Sequence, residues 1–591
     1  MSQIASGPLP ALVRYYERLE AEPHKSIPEF GFSREKIHFE IVLNKDGSRS
    51  DFRDIRLTND RGKSIPNPMT VPDAGGRQGT GLKPFFCWDN TGYALGRDNK
   101  GNSNRAKEMF TAFRELHLSM RDAIGKDDGF ASLCKFLEKW NPKDAPDLPN
   151  WEEAAGLNVV FRLRGNEGYV HQSAAIKRAW RKRVNQDLAE TANTRGTSLI
   201  TGEAEDLARL HPLISGVSGT NTTGAAIVSF NLDAFTSYGR TQSYNAPVGV
   251  QDAFRYTTAL NRLLSDDGRR VRIGDATVVF WTDRAEAKGD EDLLSAIFGE
   301  EMQSNETAEA SKASERVLSF LQAAKQGRIV DELKDPEAPF YILGLSPNAS
   351  RINIRFWLAS TVGQFAQRLA EHVNRVEIVR PISAEGDPPA FIRRLLWETA
   401  REPKDIPPQL AGEMTRAILG GLAYPQLLFS SVVRRIRVDT DMNYRRAGIL
   451  KAYLIRNKGK EVPMALNKDH PEQAYQLGRL FAALEKTQED STEGGKLNVT
   501  VKDRYFGAAS ATPASVFPRL LRLHQHHLNK LTNTGQRINR EKLIGEICGH
   551  ISRFPSHMPL DQQGLFYVAY YHQRQDFFTR REDDSKEKID E

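Results

Sequence analysis

The chain has 591 residues, 39% of them hydrophobic and 27% charged, with a formal net charge of +6. That length supplies sizeable cores and exceeds one ordinary domain, the prior being roughly three to five domains or layers. No apolar run reaches the ~18 residues of a membrane-spanning helix, the start MSQIASGPLPALVRYYERLE lacks a secretory pattern, and the dispersed Cys87, Cys134 and Cys548 exclude a disulfide framework or cysteine-rich zinc site; a cytoplasmic chain without a membrane partner is expected.

Residues 1–150 read as an α+β region. HFEIVLNKDGSRSDFRDIRL holds two alternating apolar runs around Lys45-Asp46-Gly47, a hairpin with Asp-Gly at its turn. SIPNPMTVPDAGGRQGTGLKPFF carries so many breakers that it is expected to be loop. Met109, Phe113, Leu116 and Met120 then stand at helical spacing.

Residues 151–360 read as an α/β body. LNVVFRLR, AIVSFNLDAF and RIGDATVVFWTD are expected strands, and HQSAAIKRAWRKRVNQDL and VQDAFRYTTALNRLLSD expected helices. The acidic, small-residue stretch around residues 285–315 reads as a mobile connection leading into a helix. PFYILGLSPNASRINIRFWL is strand again, with a turn expected at Ser346-Pro347-Asn348. Residues 361–457 form a helical connecting region with core positions at Ile392, Leu395, Leu396, Ile418, Leu419 and Leu422. Residues 464–591 form a C-terminal bundle of four helices, in which YQLGRLFAALEKTQ is expected to be amphipathic. The expected fold is thus α+β and multidomain, a mixed α/β N-terminal body with a C-terminal α-helical bundle.

The common catalytic classes have no motif here. There is no phosphate loop, nucleophile elbow, His-Glu-x-x-His or paired Cys-x-x-Cys, and no acid cluster with the spacing of a metal nuclease. His524 and His527 share a helix face but have no third ligand nearby. No catalytic residue, metal or cofactor is expected. Basic residues crowd two stretches instead: Arg162, Arg164, Lys177, Arg178, Arg181, Lys182 and Arg183, then Arg434, Arg435, Arg437, Arg445, Arg446 and Lys451. Such faces suit a phosphate-backbone partner; solvated helix faces account for them equally.

Two loops carry further signals. In Gly75–Lys83 the glycines let backbone approach a partner closely, while Gly76, Arg77, Gln78, Thr80 and Lys83 supply room, charge and amide groups. A flexible surface loop explains the same composition. In Ser218–Ala225, Asn221, Thr222 and Thr223 are compact polar side chains suited to a narrow groove, as are Gln242 and Asn245 in SYGRTQSYNAPV, with Tyr238 and Tyr244 available for stacking. A capped polar turn remains the other reading.

TVPDAGGRQGTGLKPFFCWDNTGYALG, SFNLDAFTSYGRTQSYNAPVG, FYILGLSPNASRINIRFW and the terminal YYHQR resemble, in order and over nearly the whole chain, the large subunit of the type I-C CRISPR Cascade surveillance complex. Gly249 departs from the small hydroxyl residue expected there. The resemblance implies a non-catalytic subunit that recognises the protospacer-adjacent motif in double-stranded DNA and aids duplex opening. Its implied partners are the target duplex and its displaced strand, and a guide-RNA complex with backbone and handle-binding subunits. A separate helicase-nuclease is recruited on target binding, and a small subunit is made from an internal start, for which Met464 is the candidate and Met442 the rival. On these implications the nucleic-acid-binding set is Gly76, Arg77, Gln78, Thr80, Lys83, Asn221, Thr222, Thr223, Gln242, Asn245, Arg181 and Arg183. The alternatives are a metal-dependent nuclease or RNA-processing enzyme of the same antiviral system, and an architectural scaffold.

Overall fold

The computed structural model describes residues 7–22, 27–59, 62–73, 81–100, 103–191, 194–221, 223–273, 275–300, 333–384, 387, 392–492 and 499–578. The fold is α+β, with small open sheets and a helical C-terminal region. Contacts group the chain into two units, Ser6–Ser265 with Pro347–Asn353, and Met1–Ala5 with Asp266–Ser346 and Ile354–Glu591. No described helix is long and apolar enough to cross a membrane.

The first unit contains helix α1 (Pro8–Ala21), strands β1 (Phe32–Ile37), β2 (Phe39–Leu43), β3 (Arg49–Asp54), β4 (Asn67–Pro72) and β5 (Trp88–Asn90), and helices α2 (Thr91–Leu95), α3 (Ser103–Ser119) and α4 (Asp128–Lys139). Strand β6 (Asn158–Leu163) and helices α5 (Ala174–Thr191) and α6 (Val250–Leu264) complete it. A four-stranded sheet runs β3-β2-β6-β5, with β2 and β6 parallel. Odd positions Phe39, Ile41, Leu43, Val159 and Phe161 face the helices and join Phe113, Phe130, Leu133 and Trp180 in one core. Even positions face away, where buried Glu40 is paired with Arg162 at 2.8 Å and Arg53 at 3.7 Å.

The expected β2–β3 hairpin is present, and α4 braces it: Lys135 and Lys139 donate to the carbonyls of Lys45 and Asp46 at 3.1 and 2.9 Å. Residues 67–72, expected as loop, form a strand instead, antiparallel to β1 with Phe32 opposite Pro72 and Lys36 opposite Pro68. Prolines fit there because positions 68 and 72 share one parity, so both missing N–H groups fall on the edge away from β1. AIVSFNLDAF, expected as a strand, makes among the described residues a single bridge, Ala226 to Arg351, just after the Ile214 to Ala225 bridge, before a 3₁₀ turn at Asp233–Phe235. Ile227, Val228, Phe230 and Phe235 are half-buried and Leu232 exposed in an irregular loop rather than alternating across a sheet.

The second unit opens with β7 (Arg270–Ile273), β8 (Ala276–Thr282) and α7 (Lys288–Glu300), a helix where a mobile connection was expected; residues 301–332 lie outside the described set. Strands β9 (Pro339–Asn348) and β10 (Arg351–Thr361) finish a sheet ordered β7-β8-β9-β10. Their turn falls at Ala349-Ser350, later than expected, with Ala349 in the left-handed region at φ 51°. Helices α8 (Val362–Val376), α9 (Pro408–Leu419), α10 (Gln426–Asp439) and α11 (Tyr444–Lys458) follow, then α12 (Gln473–Asp490), α13 (Val501–Ala511), α14 (Pro513–Leu528), α15 (Thr534–Gly549) and α16 (Leu560–Asp576). Leu395, Leu396, Ile418 and Leu419 are core as expected, whereas Leu422 is 57% exposed past the end of α9.

After the linker the described residues make five helices, not the four expected, the addition being α13. Its signal is the Thr500-x-x-Asp503 capping box, in which each side chain accepts from the other's backbone N–H. Nor is α12 amphipathic in place. Every residue from Ala474 to Glu485 is buried, as is every residue of α16 from Gln563 to Gln573. The two cross closely at Gly478, where a Cβ would stand 2.1 Å from the Phe566 carbonyl oxygen and 2.9 Å from the Ala569 Cβ. One apolar cluster runs from Val271 in β7 to Tyr571 in α16, so these helices share their core with the sheet and with α8 to α11. At its centre the fully buried Arg479 bonds Gln573, Glu546, Gln476 and the Lys468 carbonyl at 2.6–3.0 Å. A buried guanidinium is tolerated only when its donors are met in this way.

Candidate nucleic-acid interface

Residues 74–80 lie outside the described residues, and Gly76, Arg77, Gln78 and Thr80 with them; Thr222 does too. The stems of the glycine-rich loop are described, and both are tied to one indole. Trp88 Nε1 donates to the Pro72 carbonyl at 2.8 Å, and the ring stacks on Phe85 with centroids 4.5 Å apart. Asp73 N–H bonds the Gly31 carbonyl at 2.8 Å, Phe85 N–H bonds Asp89 at 2.9 Å, and Lys83 N–H bonds the Tyr93 hydroxyl at 3.3 Å. Between these anchors Cys87 is held at φ 61° while its N–H donates to His117 Nε2 at 2.8 Å. Complete burial lowers the His117 pKa to about 4, so the ring stays neutral and able to accept. Lys83 is exposed at the mouth of the loop.

The second loop is built from short turns. Thr220 bonds the Val217 carbonyl through both its N–H and its hydroxyl, and Gly224 N–H closes on the Asn221 carbonyl at 2.9 Å. Gly224 lies at φ 95° with the Ile214 carbonyl 2.9 Å from where a Cβ would sit, so this turn takes only glycine. Asn221 and Thr223 are exposed on it, and their side chains make no hydrogen bond among the described residues. The β9–β10 turn lies alongside: Ala226 bridges Arg351, and Arg351 stacks on Phe235 at 4.8 Å and bonds Asn231.

From that base projects a tight turn. Ser237 and Arg240 pair across Tyr238 and Gly239, whose φ values of 50° and 71° are those of a type I′ turn. A tyrosine in the left-handed region costs on the order of 1 kcal/mol, strain of the kind that collects at functional sites. The turn is locked from below by Asn245, which accepts from Ser237 N–H at 3.2 Å and donates to the carbonyls of Arg240 and Gln242 at 2.9 and 3.0 Å. Tyr238 is 101% exposed, and Arg240 is exposed beside it. Gln242 accepts from the exposed Arg209 at 2.9 Å. The expected residues Asn221, Thr223, Gln242 and Asn245 therefore do share one loop cluster, but Asn245 shapes it from within. Arg351, Arg209 and Arg240 join them; Arg240 stands within SYGRTQSYNAPV and Arg351 within FYILGLSPNASRINIRFW, whereas Arg209 carries no sequence signal, and Arg351 lies more than a hundred residues from the loops it meets.

The two basic stretches diverge. On α5, Arg178 and Lys182 are exposed, and neither makes an ion pair among the described residues; Arg164 behaves likewise. Arg181 is paired with Glu29 at 2.6 Å, and the half-buried Arg183 contacts Met120 Sδ at 3.4 Å and lies 3.7 Å from Asp187. In the second stretch Arg446 bonds Glu398 and Asp439 at 3.0 Å and the Asp441 carbonyl at 2.8 Å. Arg445 pairs with Asp387, Arg435 with Asp439, and Lys451 donates to the carbonyls of Arg375 and Glu377 that end α8. Arg434 is exposed with no ion pair among the described residues.

Among the described residues no group of three or more His, Cys, Asp or Glu side chains is placed to hold a metal ion. The exposed chemistry is that of a polar and cationic surface on rigid loops, which fits backbone and groove contacts to nucleic acid. The model of a family described as CRISPR-associated protein (Cas_Csd1) matches residues 12–578. No curated protein matches the chain.

Proposed function

We propose, from the premise that this chain belongs to the Cas_Csd1 family of CRISPR-associated proteins, that it is the non-catalytic large subunit of a type I-C RNA-guided DNA surveillance complex. In this reading it recognises the protospacer-adjacent motif in double-stranded DNA, helps open the duplex, and supports recruitment of a separate helicase-nuclease. Guide pairing supplies the long sequence match, and the protein reads only the short motif. The observation that carries the reading is the loop cluster: Asn221 and Thr223 offer free compact polar groups, while Tyr238 and Arg240 project from a turn locked by Asn245. Strain held at an exposed tip, with no internal contact to reward it, is what a ligand-facing side chain requires.

The acid-free run between Asp503 and Glu541 carries Arg504, Arg519, Arg522 and Lys530, all exposed, and gives a displaced strand phosphate contacts. A small subunit begun near Met464 would contain α12 to α16 whole; silencing that codon as a start is expected to remove a short band from the purified complex.

The test is binding of the assembled complex to target DNA with randomised flanks. Asn221→Ala or Tyr238→Ala is expected to cost about 1–3 kcal/mol on preferred flanks and to relax preference at one position. Unchanged flank preference in both variants overturns the assignment of this cluster.

A further inference from the structure

A pocket of about 240 Å³ opens between α1, α5 and α6 in the first unit. That is below the roughly 300–1,000 Å³ of sites enclosing a whole drug-sized ligand, and it has room for one ring system. Its apolar part is aromatic. Phe254 meets Phe30 at 83° with centroids 5.2 Å apart, and meets Tyr16 at 74° and 6.0 Å. A flat ligand lying on one of these rings is therefore edge-on to another, both favoured aromatic geometries.

The polar lining is mixed rather than of one sign. Arg181 and Glu29 sit paired at 2.6 Å in the wall, and Asn185 and Gln251, both exposed, supply amide donors and acceptors. Such a lining suits neither a simple anion nor an aliphatic chain; it matches the alternating donors and acceptors of a heterocyclic base edge. On α5 the residues Arg178, Arg181, Lys182 and Asn185 follow one helix face at i, i+3, i+4 and i+7. Two of them line the pocket, and the other two are the exposed cations without ion pairs.

We infer that this pocket takes a single unstacked nucleobase of a single strand whose phosphates lie along Arg178 and Lys182. The inference rests on the nucleic-acid reading above, but places a second base-holding site on the same unit, lined by residues other than those of the loop cluster.

The experiment uses the full-length protein and short single-stranded oligonucleotides, one with a central 2-aminopurine and one abasic at that position. The base-containing strand is expected to bind about tenfold more tightly, the scale of one aromatic stacking contact, with a fluorescence change on binding. Gln251→Ala, at an exposed position, and Phe254→Leu should each reduce both effects; unchanged thermal melting of Gln251→Ala keeps the result interpretable. Equal binding of the two strands overturns the pocket and leaves general nucleic-acid binding standing. A fluorescence change that vanishes in Tyr238→Ala but persists in Gln251→Ala and Phe254→Leu also overturns it. If neither strand binds, the nucleic-acid reading fails and the pocket with it.

Discussion

The stretches around residues 162–183 and 434–451 carry similar densities of arginine and lysine, but the first leaves more of them exposed and the second buries two. In the first, Arg164, Arg178 and Lys182 are exposed without ion pairs among the described residues. In the second, Arg446 is 6% exposed and ringed by Glu398, Asp439 and Asp441. Lys451, 5% exposed, closes the carbonyl end of α8. A count of basic residues thus measures neither binding nor packing until the acids and carbonyls that reach them are known.

The sharpest way to break the comparison is Arg446→Ala. It removes a buried guanidinium from the half-buried carboxylates of Glu398 and Asp439 and is expected to cost about 1.5–3 kcal/mol of stability, read by denaturant unfolding, with DNA affinity per folded molecule unchanged. A loss under 1 kcal/mol would remove the distinction.

A smaller effect sharpens the first side. His171 in that stretch is fully buried, and neither ring nitrogen has a hydrogen-bond partner among the described residues. Burial, with Lys177 adding to it, lowers its pKa from 6.5 to about 3. Between those values the unfolded chain binds more protons, so stability is full above pH 6.5 and falls as pH drops toward 3. From pH 7 to pH 5 the loss at this one site is about 2 kcal/mol. His171→Phe should flatten that part of the pH profile; an unaltered slope places the acid sensitivity elsewhere.

The smallest change in stability belongs to Arg178→Ala and Lys182→Ala, each expected within about 0.5 kcal/mol of wild type. Each should nevertheless weaken binding to all DNA sequences alike and reduce the salt slope by about one. Sequence-dependent losses would instead make them base readers.

Much of the architecture was legible because periodicity reports burial: β2, β3, β6, α5, α6 and the late helices lie close to where alternation placed them. Three things were not. Strand β4 was hidden by Pro68 and Pro72, since composition does not say which N–H groups a ladder leaves free. The buried α12 has polar residues on every side, but Arg479 and Glu485 are satisfied by Gln573, Glu546 and Tyr570 from helices much later in the chain. The second basic stretch was opaque for the same reason, because Glu398 and Asp387 reach it from 48 and 58 residues away. At the interface, residue types suited to close contact were readable. Asn245's inward role and the arrival of Arg351 beside Phe235 follow from tertiary placement.

The crossing of α12 and α16 at Gly478 has a consequence for synthesis. The last residue of α12 leaves the ribosome well before that of α16, Asp490 against Asp576; at about 5–20 residues per second the interval is roughly 4–17 s. Throughout it, a helix that the finished fold buries from Ala474 to Glu485 waits without its main partner. Nascent chains stalled or truncated before Leu560 should therefore be the species that chaperones hold and proteases remove, whereas a chain completed through Asp576 closes its seam at once.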